Sequence, residues 1–423
     1  MDIFVIQGGT RLTGTVRVSG AKNAALPLMA ASLLADGPVE IAGAPRLRDI
    51  STLGKVLGHM GAGVERIEAG DDGLESVRID PRTVERAEAP YELVKTMRAS
   101  VLVLGPLAAR HGRARISMPG GCAIGARPID QHLKGLELMG ARTTLKEGYV
   151  EVDAGRLSGA TVYFDMKTVT GTENLMMAAT LARGTTVLKN AAREPEVCAL
   201  ARALRAMGAD IEGDGSDEIE VRGVRSLRGV RHEVMPDRIE ASTLLLAGAI
   251  SGGDVTVDGA DPLAMDAVLT KLSESGADVF AEPGRVRIRR EGPIRSVNVE
   301  TSPYPGFPTD VQAQFMAYMC LGDGFSIVRE TIFENRFMHV AELRRMGARI
   351  DVSGSTAAVK GVPSLSGAPL MATDLRASAS LVLAGLAANG TTEVLRIYHL
   401  DRGYEALENK LASLGARISR VKE

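Results

Sequence analysis

One phrase recurs six times and constrains the chain more than any other feature. It reads Met60-Gly-Ala-Gly-Val, Met139-Gly-Ala-Arg-Thr, Met207-Gly-Ala-Asp-Ile, Ser275-Gly-Ala-Asp-Val, Met346-Gly-Ala-Arg-Ile and Leu414-Gly-Ala-Arg-Ile. Its glycines lie roughly 70–80 residues apart, the mark of a repeat architecture. Each copy ends a helical pattern and opens an extended one. Glycine is the residue that can take the left-handed conformation just past a last helical turn, so the phrase predicts six helix C-caps, each followed by a strand.

Each copy also carries an earlier helix. Asn23-Ala-Ala-Leu-Pro-Leu-Met-Ala-Ala-Ser-Leu-Leu, Glu173-Asn-Leu-Met-Met-Ala-Ala-Thr-Leu-Ala and Glu240-Ala-Ser-Thr-Leu-Leu-Leu-Ala are examples. They are apolar nearly all round, which predicts burial. The second helix of each copy is more polar, as in Glu342-Leu-Arg-Arg-Met, and is expected to face solvent. The unit reads β-α-β-α-β-β. The sixth copy stops before its hairpin, and the chain begins with a spare one at residues 4–18. The N-terminal hairpin is therefore expected to complete the last repeat. The fold expected is α/β, a two-domain inside-out α/β barrel with three repeats and buried helices in each domain. Residues 22–235 form one domain; residues 1–21 plus 236–423 form the other, with a cleft between. One continuous solenoid of six units is the competing arrangement, but it needs no returning N-terminus.

Composition excludes several classes. Hydrophobic residues make up 45% of the chain and aromatic ones 4%, so the cores must be aliphatic. The net charge of −2 gives no global surface for nucleic acid. Cys122, Cys198 and Cys320 are odd in number and far apart, which argues against a disulfide framework, and no zinc spacing appears. Cys198 and Cys320 lie in apolar helical patterns and read as core. No signal sequence or membrane-length apolar run is seen, so a cytoplasmic protein with no membrane partner is expected.

Chemistry is concentrated in Pro119-Gly-Gly-Cys-Ala-Ile-Gly-Ala-Arg-Pro-Ile-Asp130. A thiol among glycines, with a guanidinium five residues on, is equipped to act on an anion. Buried helices should not begin with ionisable residues unless these have a partner or a task. Lys22, Arg98, Asp310, Asp374 and Arg376 stand at such starts, where free N–H groups attract anions. With Arg127 and Arg402 they predict a local site for a phosphate or carboxylate compound. Taken singly, Arg98 and Arg376 also read as structural ion pairs, Lys22 as a solvated linker residue, Asp310 as an ordinary cap, and Arg402 as an exposed residue beside Asp401 as N-cap.

Seven motifs then carry a resemblance. They are Ser19-Gly-Ala-Lys-Asn-Ala-Ala-Leu-Pro27, the Cys122 stretch, Asn190-Ala-Ala-Arg-Glu-Pro-Glu196 and Phe307-Pro-Thr-Asp310, followed by Phe333-Glu-Asn-Arg-Phe-Met-His339, Ala372-Thr-Asp-Leu-Arg-Ala-Ser378 and Asp401-Arg-Gly-Tyr404. In this order they resemble the UDP-N-acetylglucosamine 1-carboxyvinyltransferases, enolpyruvyl transferases of peptidoglycan synthesis. The resemblance implies phosphoenolpyruvate and UDP-N-acetylglucosamine as partners, no cofactor and no metal. It implies Cys122 as proton donor and site of a covalent adduct, open to an epoxide mimic of phosphoenolpyruvate such as fosfomycin. Asp310 is implied as the base at the sugar 3-hydroxyl, with Ile332 a neighbouring contact. Lys22, Arg127 and Arg402 are implied to hold phosphoenolpyruvate, and Asn23 to face the sugar. Arg98, Arg127, Pro128, Ile129, Asp130 and Gln131 match UDP-sugar positions, and Arg336, Asp374 and Arg376 match further cleft residues. The chain departs from the expected pattern at 167–174, Leu102 and Ser242. Transfer to another acceptor, such as a shikimate phosphate, and a non-catalytic UDP-sugar-binding paralogue are the competing readings. The oligomeric state stays open.

Overall fold

The computed structural model describes residues 2–69, 73–95, 97–118 and 129–422. All six repeated glycines are left-handed, with φ between +94° and +112°. In every copy the following alanine N–H bonds back to a leucine carbonyl at 2.9–3.2 Å: Ala62 to Leu57, Ala141 to Leu136, Ala209 to Leu204, Ala277 to Leu272, Ala348 to Leu343 and Ala416 to Leu411. These are six Schellman caps. The leucine and alanine of each pair are buried, so the cap is also a hydrophobic contact.

The described residues form six four-stranded sheets, all with one order. The leading strand pairs in parallel with the second strand, and the last two pair antiparallel. In the third repeat the sheet runs Thr161–Tyr163, Thr185–Lys189, Glu218–Arg222, Asp210–Glu212. The first helix of each repeat makes the crossover between the parallel pair, as parallel strands require.

The N-terminal segment departs from the expectation of one hairpin completing one repeat. Strand Asp2–Gln7 lies between Thr391–Leu395 and Arg417–Lys422 and closes the sixth sheet. Strand Thr13–Arg17 pairs in parallel with Asp254–Asp258 and opens the fourth. Gly8 and Gly9 make the transfer. A Cβ at Gly8 would stand 2.0 Å from the Ala388 carbonyl oxygen, and Gly9 has φ +82°. The first repeat is opened the same way, by Arg231–Glu233 against Val39–Ala42.

The chain divides into two units, changing over at Ser19/Gly20 and at Met235/Pro236. Each has its own core. In the unit of residues 20–118 and 129–235, helix Val169–Ala179 packs against both Leu104–His111 and Lys22–Ala31, and Lys22–Ala31 also meets the segment Arg98–Val103. In the unit of residues 2–19 and 236–422, Arg238–Ile250, Gln312–Met319 and Ala377–Ala387 pack against one another. Residues 377–386 are buried without interruption, as an all-round apolar helix must be. The second-repeat helix is not α from its start. Arg98–Val103 is 3-10 and the α-helix begins at Leu104. Pro106 has no N–H for the Leu102 carbonyl, which favours the tighter lead-in. Among the described residues no helix is long and apolar enough to cross a membrane.

Candidate active site

Three helix starts converge in the unit of residues 2–19 and 236–422, and a single guanidinium demonstrates it. Arg376, 2% exposed, precedes Ala377–Ala387. Its Nη2 lies 3.8 Å from Asp237 Oδ2, at the start of Arg238–Ile250. Its Nε lies 3.4 Å from Asp310 Oδ2, in the turn Thr309–Val311 before Gln312–Met319. The Arg376 Nη1 donates to Gly403 O at 3.3 Å, and the guanidinium lies 5.1 Å from the Tyr404 ring centre. Burial disfavours its charge, but Tyr404, Asp237 and Asp310 outweigh that and hold it protonated.

The carboxylates differ in use. Asp237 caps its helix, accepting from Ile239 N at 2.8 Å and Glu240 N at 3.1 Å. Asp374 caps too, accepting from the N–H groups of Arg376 and Ala377 through Oδ1, while its buried Oδ2 has no hydrogen bond among the described residues. Asp310 makes no cap. Its Oδ1 accepts from Arg336 at 2.7 Å. Arg336 is 3% exposed, stacks near Phe333 at 5.1 Å and donates to Thr309 Oγ1 at 3.0 Å. Thr309 in turn donates to buried Glu330, whose Oε1 also accepts the Ile332 N–H at 2.8 Å. Carboxylate oxygens offer about four lone-pair sites, so two guanidiniums leave Asp310 able to accept from a hydroxyl. Arg402 ends the 3-10 segment Ile397–Arg402 and is half-buried. Asp401, which the sequence offers as a cap, instead pairs with Arg420 at 2.6 Å.

The other unit also places polar groups at its helix starts. Lys22, 7% exposed, opens Lys22–Ala31 with Nζ 3.4 Å from buried Asp49. Asn23 beside it is half-buried. Arg98 is half-buried at the 3-10 start, and its charge acts on buried His132. Asn174 Nδ2 donates to Val101 O at 2.9 Å and to His132 Nδ1 at 3.0 Å, which leaves the imidazole proton on Nε2, facing Thr170 at 3.4 Å. Burial, with Arg98 adding, lowers His132 to about 4. Ile129 is buried and Asp130 exposed at the start of Asp130–Leu138. Gln131 spends both amide atoms on the backbone of Met166. Lys167 is tied to Ala191 O and Asp217. Cys122, Arg127 and Pro128 lie outside the described residues. Cys320 is a core thiol, pushed up to about 12 by burial, whereas Cys198 departs from the core reading: it is only half-buried, with its thiol raised by partial burial and Asp214.

Comparison with known proteins assigns the architecture. The sequence model of EPSP synthase (3-phosphoshikimate 1-carboxyvinyltransferase) matches residues 6–411. The chain belongs to the EPSP synthase family. Within this family it is 61% identical to the UDP-N-acetylglucosamine 1-carboxyvinyltransferase of Anaeromyxobacter dehalogenans (strain 2CP-C), over 100% of both chains. It is 58% identical to the protein of that name from Geobacter metallireducens, again over 100% of both. Among solved structures, the enolpyruvyl transferase NikO from Streptomyces tendae aligns with a TM-score of 0.88 at 29% identity, covering 100% of this chain and 99% of that one. The EPSP synthase of Acinetobacter baumannii shares the fold, with a TM-score of 0.76 at 19% identity and full coverage of both chains.

Sequence reasoning missed Asp237, Tyr404 and Asp49. Asp237 carried a signal, a cap residue three before Glu240 at the head of an apolar run. Tyr404 stood only as the last residue of the motif Asp401-Arg-Gly-Tyr404, with no role of its own, and Asp49 carried no signal.

Proposed function

We propose that this chain transfers the enolpyruvyl group of phosphoenolpyruvate to the 3-hydroxyl of UDP-N-acetylglucosamine, releasing phosphate. The reaction is the first committed step of peptidoglycan synthesis and takes place in the cytoplasm. What carries the reading is Asp310, held between two buried guanidiniums where three helix starts meet, in a chain 61% identical over its length to an enzyme of that name.

The chemistry needs an acid, a base and several cations. C2 of phosphoenolpyruvate becomes electrophilic only as C3 is protonated, and Cys122 is the acid for that step. The sugar 3-hydroxyl attacks C2 and gives its proton to Asp310. A tetrahedral ketal forms; its collapse breaks the C–O bond to phosphate, which takes up the proton held by Asp310, while C3 returns a proton to the Cys122 thiolate and the double bond is restored. Lys22, Arg127 and Arg402 bind the phosphate and carboxylate, for which forked guanidiniums are suited. Asn23 faces the sugar and Ile332 lines its neighbourhood. Arg98, Pro128, Ile129, Asp130 and Gln131 serve the UDP moiety. Arg336, Arg376 and the Asp374 cap hold Asp310 and its surroundings in place.

Phosphate release from phosphoenolpyruvate with UDP-N-acetylglucosamine as acceptor tests the reading. Turnover is expected with this acceptor, and Cys122→Ala and Asp310→Ala should each cut kcat at least a hundredfold, in line with the roughly 10²–10⁴-fold typical of general acids and bases. Release only with shikimate 3-phosphate would sink the proposal.

A further inference from the structure

We propose that Tyr404 is a positioning residue for this reaction: its phenol links the three buried helices of its unit and sets Arg376 and Asp310. The proposal rests on the enolpyruvyl-transfer reading above. Tyr404 is 2% exposed and lies at the centre of a closed network. Its oxygen is 3.0 Å from Thr243 Oγ1, on the helix Arg238–Ile250. It is also 3.0 Å from Gln314 Nε2, on the helix Gln312–Met319. The third helix enters through Arg376, whose guanidinium lies over the Tyr404 ring and bonds to the carbonyl of the adjacent Gly403.

The proton directions follow from the partners. Thr243 spends its hydroxyl proton on the Ile239 carbonyl at 2.9 Å. The bond between the two hydroxyls therefore runs from Tyr404 to Thr243. The Asp310 carbonyl accepts only, so the amide of Gln314 must present Nε2 to it, as it does at 2.9 Å. The same nitrogen then faces Tyr404 and, at 3.2 Å, Thr243. The phenol oxygen is left with its lone pairs toward Gln314 and the Arg376 side. Burial raises the phenol's pKa, with Arg376 acting in the opposite sense, so the proton stays in place at working pH.

Arg376 is thus gripped through Gly403 and the Tyr404 ring, and the Asp310 backbone through Gln314. Both grips meet at Tyr404, whose oxygen fixes the ring between Thr243 and Gln314. Removing that oxygen leaves the ring and its cation contact but unlocks the arrangement. Buried networks act as units, so their members should not contribute independently.

Tyr404→Phe is the test. With phosphoenolpyruvate and UDP-N-acetylglucosamine, kcat should fall roughly ten- to hundredfold, the scale expected when reacting groups are displaced by about 1 Å. KM should change less than threefold, and Tm by only a few degrees. Thr243→Val should also lower kcat, and the double variant should be no slower than Tyr404→Phe alone. A Tyr404→Phe kcat within twofold of the parent, or additive losses in the double variant, would overturn the proposal. If Tyr404→Phe does not fold, Gln314→Met probes the same link with the same outcomes. A second readout needs no turnover: exchange of the Arg376 Nε–H with water, followed by NMR, should speed up at least tenfold in Tyr404→Phe. Unchanged exchange overturns the proposal even if the parent proves inactive with this acceptor, a result that would by itself refute only the functional reading.

Discussion

Arg376 and His339 show how much a single buried side chain can decide. Arg376 neutralises buried Asp237, so Arg376→Met leaves that carboxylate without this cation, whereas half-buried Asp310 keeps Arg336. Breaking a buried ion pair from one side costs roughly 3–5 kcal/mol. Urea unfolding should show a loss of that order, together with loss of turnover. His339 is fully buried, and both ring nitrogens lack a hydrogen-bond partner among the described residues. Burial lowers it to about 4, with Asp374 opposing and Arg336 reinforcing the shift. The unfolded imidazole takes up its proton below about pH 6.5, whereas the native one does so only near 4. Its contribution to stability is complete above pH 6.5 and is lost as pH falls from 6.5 to 4, by roughly 3 kcal/mol. His132 behaves alike. The urea midpoint of the parent should therefore fall between pH 7 and pH 5, and the fall should be smaller in His339→Leu. Equal falls would refute the assignment. Lys22, Asp310 and Arg376 were legible because a charge at the head of an apolar helix stands out. His339, inside Phe333-Glu-Asn-Arg-Phe-Met-His339, carries no such contrast, and its burial depends on what packs over it.

At the scale of the element, the six caps share one geometry but not one cost. At Gly347, φ is +94° and a Cβ would meet nothing within 4 Å. Alanine there should cost only the left-handed strain, about 1 kcal/mol. At Gly61, φ is +106° and a Cβ would stand 2.5 Å from the Thr83 carbonyl oxygen. Gly61→Ala must also displace backbone and should lower the denaturant midpoint clearly more than Gly347→Ala. Equal effects would show that the contact relaxes freely. The caps and apolar helices were readable because capping and burial are local rules with short periods. The 3-10 lead-in at Arg98–Val103 was also locally encoded, by Pro106, but is easily passed over in an otherwise helical pattern.

For the whole molecule, the chain order matters more than the repeat count. The unit of residues 20–118 and 129–235 draws on one contiguous stretch, whereas the other needs residues 2–19 as well. Strand Asp2–Gln7 is interior to the sixth sheet, so without it Arg417–Lys422 has no partner strand. We expect residues 20–235 expressed alone to unfold cooperatively in urea. Residues 236–423 alone should not, and joining residues 2–19 to their C-terminus through a flexible linker should restore a cooperative transition. A cooperative 236–423 fragment would refute this.

The amino-acid sequence by itself determined the six units, their left-handed glycine caps, the burial of the first helix in each and the gathering of charge at helix starts. These depend on residues within one or two turns of each other. The tertiary structure alone decided which sheet each N-terminal strand joins and which carboxylate meets Arg376. It also decided that Tyr404, Gln314 and Thr243 share one network. Those partners are up to hundreds of residues apart, and no local period encodes them. They exist only once three helices have been packed closely enough for a single guanidinium to reach all three starts.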